Sequence, residues 1–180
     1  MTPTLQELQA GLGAIRESPR DAGLLRLIVR RPQVGAREVI EEARLDMAEG
    51  LVGDTWSRRA SRHAGPDPES QLNIMNARAI ALIARTPDRW PLAGDQLFVD
   101  LDLSADNLPP GTRLALGSAV IEVTAQQHTG CGKFAARFGV DAVKFVNSAV
   151  GRQLNLRGIN AKIVRAGLIR AGDLVQKIVP

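Results

Sequence analysis

The sequence predicts a mainly β chain of α+β class, a largely antiparallel barrel or sandwich with two or three helices inserted between strands or set at its edge. Three observations lead there. About seven or eight short segments alternate apolar and polar residues, only two or three stretches carry helical spacing, and glycine turns punctuate the chain. Gly-Asp recurs at 53–54, 94–95 and 172–173, the last two directly ahead of a predicted strand. A doubly wound parallel sheet would alternate strands with helices, and no glycine-rich phosphate loop of Rossmann or Walker type is present. A length of 180 residues suits one domain with its own core.

The elements follow in order. Leu5, Leu8, Leu12 and Ile15 predict a helix from Thr4 to Glu17, ended by Ser18-Pro19. Gly11 and Gly13 weaken it by about 1 kcal/mol each relative to alanine. Residues 1–20 therefore read as a helical appendage, and 21–180 as the main body. In Leu24–Arg30, Leu25, Leu27 and Val29 face one way and Arg26 and Arg30 the other, as in a half-buried strand. Residues 37–45 suit either a helix or a solvent-facing strand. Gln71–Met75 is a strand, Asn76 caps a helix over Ala77–Arg85, and Pro87 ends it. Strands follow at Leu97–Leu101, Arg113–Leu116 and Ala119–Ala125, the last with Ala119, Ile121, Val123 and Ala125 on one face. Asp141 is placed to cap a helix carrying Ala142, Phe145, Val146, Ala149 and Val150. Strands at Ala161–Arg165 and Leu174–Val179 close the chain.

Composition narrows the function. The chain is 44% hydrophobic and has no apolar run long enough for a bilayer span. Its N-terminus carries acids and no basic cluster ahead of an apolar stretch, so it does not read as a secretory signal. One cysteine allows no internal disulfide and no multi-cysteine metal site, which fits a reducing, cytoplasmic setting. Lysine and arginine outnumber the acids 23 to 19, which favours anionic partners. Aromatic residues make up 3% and tyrosine is absent, leaving little for base stacking, so a small anion is a better partner than nucleic acid.

The chemistry-bearing stretch is IEVTAQQHTGCGKF, residues 121–134. A lone cysteine is commonly a small buried hydrophobe. Cys131, however, sits between Gly130 and Gly132, which let backbone approach a ligand, and has Lys133 after it and His128 three residues before. Positive or potentially positive neighbours favour the thiolate. No second cysteine serves disulfide exchange, and His128 with Cys131 is too small a set for a closed zinc site. The polar loop after GLVGD carries Arg58, Arg59, Arg62 and His63, read either as a solvated loop or as an anion clamp of guanidinium forks. Arg157 lies between the last predicted helix and the next strand, where an arginine reaches a pocket. Asp54 reads as a turn residue.

The ordered series GLVGD (50–54), Arg58-Arg59, QLNIM (71–75), GDQLFVDLDLS (94–104), AVIEVT (119–124), Cys131 and AGLIRAGDLV (166–175) resembles the MOSC domain, named for the C-terminal part of molybdenum cofactor sulfurases. The likeness runs from about Leu24 to Val179. It implies a strand-rich β-barrel that binds molybdenum cofactor (molybdopterin) or carries sulfur to it. In that reading Cys131 is metal ligand or persulfide carrier, the catalytic residue. The anionic pterin would be held by Arg58, Arg59, His128, Lys133 and Arg157. Where this chain has Asp95-Gln96, many members carry an arginine. With no pyridoxal-phosphate sulfurase domain and no cysteine cluster for an iron-sulfur partner, pyridoxal phosphate is not expected in this chain. A sulfur or electron donor would act in trans. Two alternatives stay open: a non-catalytic basic module that contacts a protein or nucleic acid, and a molybdenum-dependent reductase of N-hydroxylated compounds.

Overall fold

The computed structural model describes residues 2–59 and 65–179. Arg62 and His63 of the arginine loop lie outside the described residues. The strands are β1 (Ala22–Arg30), β2 (Glu38–Ile40), β3 (Glu42–Asp46), β4 (Gly50–Leu51), β5 (Leu72–Asn76), β6 (Leu97–Asp100), β7 (Arg113–Leu116), β8 (Ala119–Val123), β9 (Ile159–Arg165), β10 (Gly167–Arg170) and β11 (Leu174–Ile178). Seven of them close on themselves in the order β1-β11-β7-β8-β9-β5-β6 and back to β1. Closure leaves the barrel no open edge to attract a foreign strand. Every pair in the ring is antiparallel except β5–β6. Pairing in parallel requires a crossover, supplied by the helix and 3-10 turn between them. β2 adds to β1 outside the ring, and β10, β3 and β4 form a small separate sheet. Residues 37–45, open between helix and strand from sequence, thus hold β2 and most of β3, broken at Glu41.

Six helices appear among the described residues: α1 (Leu5–Ala10), α2 (Leu12–Arg16), α3 (Ala77–Ala84), α4 (Gly132–Phe138), α5 (Val140–Asn147) and α6 (Ala149–Gln153). The helix expected over Thr4–Glu17 breaks at Gly11, where a Cβ would press into the Leu82 side chain of α3. A capping box between Thr4 and Glu7 starts it. Asn76 caps α3, accepting the Ala79 N–H as its sequence position predicts. The cap expected from Asp141 is not made. Gly139 precedes α5, and the Asp141 carboxylate instead accepts the Leu5 N–H, joining α5 to α1. Ser148 caps a fresh helix, so Ala149 and Val150 leave the buried face that Ala142, Phe145 and Val146 share.

The strands divide two cores. Leu25, Ile28, Ile74, Leu97, Val99, Ile121 and Ile163 fill the barrel. Leu8, Ile15, Val29, Met75, Ile80, Ile83 and all four phenylalanines pack between the outer barrel wall and the helices. Counting by twos along β1 misplaces its side chains, because an extra residue, Arg26, bulges the strand where Leu25 faces Val99 and Leu27 faces Phe98. Leu25 and Ile28 therefore point into the barrel while Leu27 and Val29 join the helical layer. Ala125, expected on the inner face, lies past the end of β8 and is exposed.

Candidate functional site

A cavity of about 780 Å³ opens where β1 ends, β5 and β6 begin, and the loop after β8 enters α4. Arg31 forms its anchored wall. Its guanidinium grips Asp54 through both carboxylate oxygens at 2.8 Å, and its third nitrogen donates to Asn73 Oδ1 and the Gly94 carbonyl at 3.0 Å. The backbone N–H groups of Arg31 and Trp56 also donate to Asp54. Burial alone would raise the Asp54 pKa, but the Arg31 hydrogen bond and charge outweigh it and hold the carboxyl below its usual range. Asp54 is thus more than a turn residue: it locks the loop after β4 to the end of β1. Buried Trp56 then pins the 3-10 turn Trp56–Arg58, and Arg58 donates to the Pro32 carbonyl at 2.6 Å.

Opposite lies a second buried pair. Arg157 donates to Asp95 Oδ2 at 2.6 Å and to the Ala93 carbonyl at 2.9 Å, and its guanidinium sits 4.8 Å over the Phe134 ring. Its Nε has no partner among the described residues. Gly158 follows at φ +111°, where a Cβ would collide with the Ile74 carbonyl. The other Asp95 oxygen lies 3.4 Å from His128 Nδ1, and neither atom has a hydrogen-bond partner among the described residues. Burial lowers the His128 pKa to about 4 against the pull of Asp95, so the imidazole is neutral at pH 7.

The loop carrying Cys131 is tied at two points. Asn160 accepts from Asn73 and donates to the Gln126 carbonyl, while Asn147 of α5 both donates to the Gly130 carbonyl and accepts its N–H. Cys131 follows at the N-cap of α4 and is exposed. Its thiol pKa is lowered chiefly by the Phe134 backbone N–H, with burial opposing and with smaller help from the Lys133 N–H and the Arg157 and Lys133 charges. No cap hydrogen bond to the sulfur closes in this geometry, so amide orientation, more than a formed bond, favours the thiolate. The charge expected from His128 is absent, because that ring is neutral.

Arg58, Arg59, His128, Cys131, Lys133 and Arg157 all line this one cavity. Arg31, Arg37, Asn73 and Arg137, not singled out by sequence, line it too. Of its seven cationic side chains only Arg31 and Arg157 form ion pairs among the described residues, and no carboxylate among them lines the wall. Asp95, at the departure from the family pattern, contributes no cation itself but positions Arg157. No group of three histidine, cysteine or acidic side chains is arranged to hold a metal ion among the described residues. A smaller cavity of about 240 Å³ adjoins, sharing His128 and Arg157 with the first. No helix among the described residues is long and apolar enough to cross a membrane.

Comparison with solved structures finds the same fold. The YUAD protein from Bacillus subtilis is 15% identical, with a TM-score of 0.65 over 87% of this chain and 95% of that one. YiiM from Escherichia coli is 18% identical, with a TM-score of 0.56 over 87% and 70% of the two chains. A structure described as a hypothetical protein is 19% identical, with a TM-score of 0.57 over 93% and 71%. No curated protein matches the sequence. The model of the MOSC domain matches residues 60–176, well over half of the sequence, and the chain belongs to the MOSC domain family.

Proposed function

We propose that this protein binds molybdenum cofactor, with Cys131 as thiolate ligand to the metal or as carrier of sulfur delivered to it. One observation carries the reading: a lone, accessible cysteine with a depressed pKa shares a cavity with seven cations and, among the described residues, no facing carboxylate. Without a three-ligand set among those residues, the site is poorly suited to gripping a bare metal ion. A metal arriving already chelated by the sulfurs of a pterin needs one more soft ligand, and a thiolate supplies it. When bound, the cofactor supplies sulfur-ligated molybdenum for two-electron or sulfur chemistry. Arg58, Arg59 and Arg157 would hold the terminal phosphate, and Lys133 adds charge beside the thiolate. The unpartnered Arg157 Nε fits that assignment. A sulfur or electron donor protein would act in trans.

Cys131→Ala tests this. Protein purified without oxygen is expected to lose both molybdenum and fluorescent oxidised pterin relative to wild type, with unchanged circular dichroism and melting temperature. Pterin at wild-type level in the variant overturns the reading. A second reading, a molybdenum-dependent reductase of N-hydroxylated compounds, is favoured by the adjoining cavity, which offers room for a small organic molecule across His128 and Arg157. Anaerobic turnover of an N-hydroxylated amidine with a chemical electron donor checks it. No amidine product from cofactor-loaded protein removes that reading and leaves the first standing.

A further inference from the structure

Two cavity arginines have no acidic partner among the described residues. The Arg37 NH2 and the Arg137 NH1 each lie 3.7 Å from the point a Gly94 Cβ would occupy. The two nitrogens are thus at most twice that distance apart. Arg37 donates only to the Ala36 carbonyl and Arg137 only to the Leu92 carbonyl among the described residues. The Arg37 Nε is buried without a partner, and neither side chain pairs with a carboxylate among the described residues. Burial and then the Arg137 charge lower the Arg37 pKa, the mark of like charges held close without neutralisation. The one acid that opposes this lowering, Asp54, is already gripped by Arg31. Gly94, at φ +90° and without a side chain, leaves the space between the two guanidiniums open. Bringing two cations together in a half-buried place costs free energy that an anion recovers.

We propose that Arg37 and Arg137, across Gly94, form a second oxyanion subsite of the cavity, sized for one tetrahedral group such as a phosphoryl or sulfate bridged by the two guanidiniums. The span suits one charge-assisted hydrogen bond at each end of such a group. The proposal rests on the cavity as an anion site, the part of the preceding reading that assigns the pterin phosphate to Arg58, Arg59 and Arg157. It adds that the protein receives two oxyanions. They arrive either on one ligand with two phosphoryl groups or as a phosphate-bearing cofactor with a separate anionic substrate.

Calorimetric titration with inorganic pyrophosphate and with orthophosphate, at low and fixed salt, tests the subsite. The proteins compared are wild type and the Arg37→Gln/Arg137→Gln variant. Pyrophosphate binding one per chain and at least about tenfold tighter than orthophosphate, consistent with one added hydrogen bond to a charged group, indicates one ligand spanning both subsites. Two orthophosphates per chain, with no pyrophosphate preference, indicate a separate second anion. In either case the double variant is expected to abolish the preference or the second orthophosphate while leaving the remaining affinity within about threefold, since the other cations persist. A variant that leaves both isotherms unchanged, or lowers every affinity by the same factor, overturns the subsite in favour of a diffuse positive field. If the double variant does not fold, Arg137→Gln alone reads the same ratio. Both isotherms are read with inorganic anions alone, whereas the molybdenum reading is decided by pterin retained on purification, so failure of one and failure of the other are separable.

Discussion

Removing the Asp54 carboxylate leaves the Arg31 guanidinium buried with no counter-charge. The two side chains are 0% and 5% exposed, deep enough that solvent does little to relieve the loss. Breaking a buried pair by deleting one partner costs about 3–5 kcal/mol, most of it the stranded charge. Asp54→Ala also strands the Arg31 and Trp56 backbone N–H donors, which places it at the upper end of that range. In a domain of this size each kcal/mol moves the melting temperature by about 2–4 °C, so a fall of roughly 10–20 °C is expected. Urea unfolding followed by circular dichroism measures it directly. A paired variant, Asp54→Ala with Arg31→Met, isolates the cause: with the charge removed as well, it should be more stable than Asp54→Ala alone. The folded-state pKa of Asp54 lies below its unfolded value, so the pair's contribution is complete above the unfolded pKa. It is lost as the pH falls through the folded one, and only an acid melt below about pH 4 exposes this loss. A loss under about 1 kcal/mol for Asp54→Ala, or a paired variant worse than the single one, refutes the stranded-charge account.

Three further outcomes follow from the site. Alkylation of Cys131 by iodoacetamide should rise with pH around a midpoint below the ordinary cysteine value of about 8.5, and Lys133→Ala should raise that midpoint only slightly, because the Phe134 amide dominates; a midpoint at or above the ordinary value argues against it. His128 binds its proton less readily folded than unfolded, so stability should climb as pH rises from about 4 to 6.5, on the order of 3 kcal/mol in all. His128→Gln should flatten that slope in urea titrations, and an unchanged slope places the proton elsewhere. Asn147→Ala removes both hydrogen bonds to Gly130, at a cost of about 1–3 kcal/mol. Amide exchange at Gly130 should accelerate and Cys131 alkylation with it; unchanged protection of that amide means the loop is held by other contacts.

Much of this molecule is legible in its local chemistry. Period-two alternation between glycine turns locates β5, β7, β8 and β9, and Asn76 declares its helix because an N-cap needs only its own neighbours. Six residues with site chemistry converge on one cavity because each sits in a loop, in a 3-10 turn or in the first turn of a helix, where arginine and cysteine are not needed for a core. What stays hidden depends on partners distant in the chain. Arg31 reads as the tail of a strand, and only Asp54, Asn73 and Gly94 converging on it make it a wall. Arg37 and Arg137 meet only because α4 packs near Gly94. The helix α4 itself starts at Gly132, a poor former, although Phe134 and Phe138 at i, i+4 mark its buried face. Asp95 reads as a missing cation, yet in the fold it holds Arg157 in place.

The bulge at Arg26 has an effect beyond the two cores. Sides alternate along a strand, so one extra residue inverts the destination of everything after it. Counted by twos from Leu25, Arg31 would be addressed to the barrel interior, a cation among leucines and isoleucines with no acid to meet it. The inserted residue readdresses it to the face that Val29 occupies, toward Asn73 and the cavity. A single surplus residue upstream thus delivers the deepest cation of the site to the correct side of the wall.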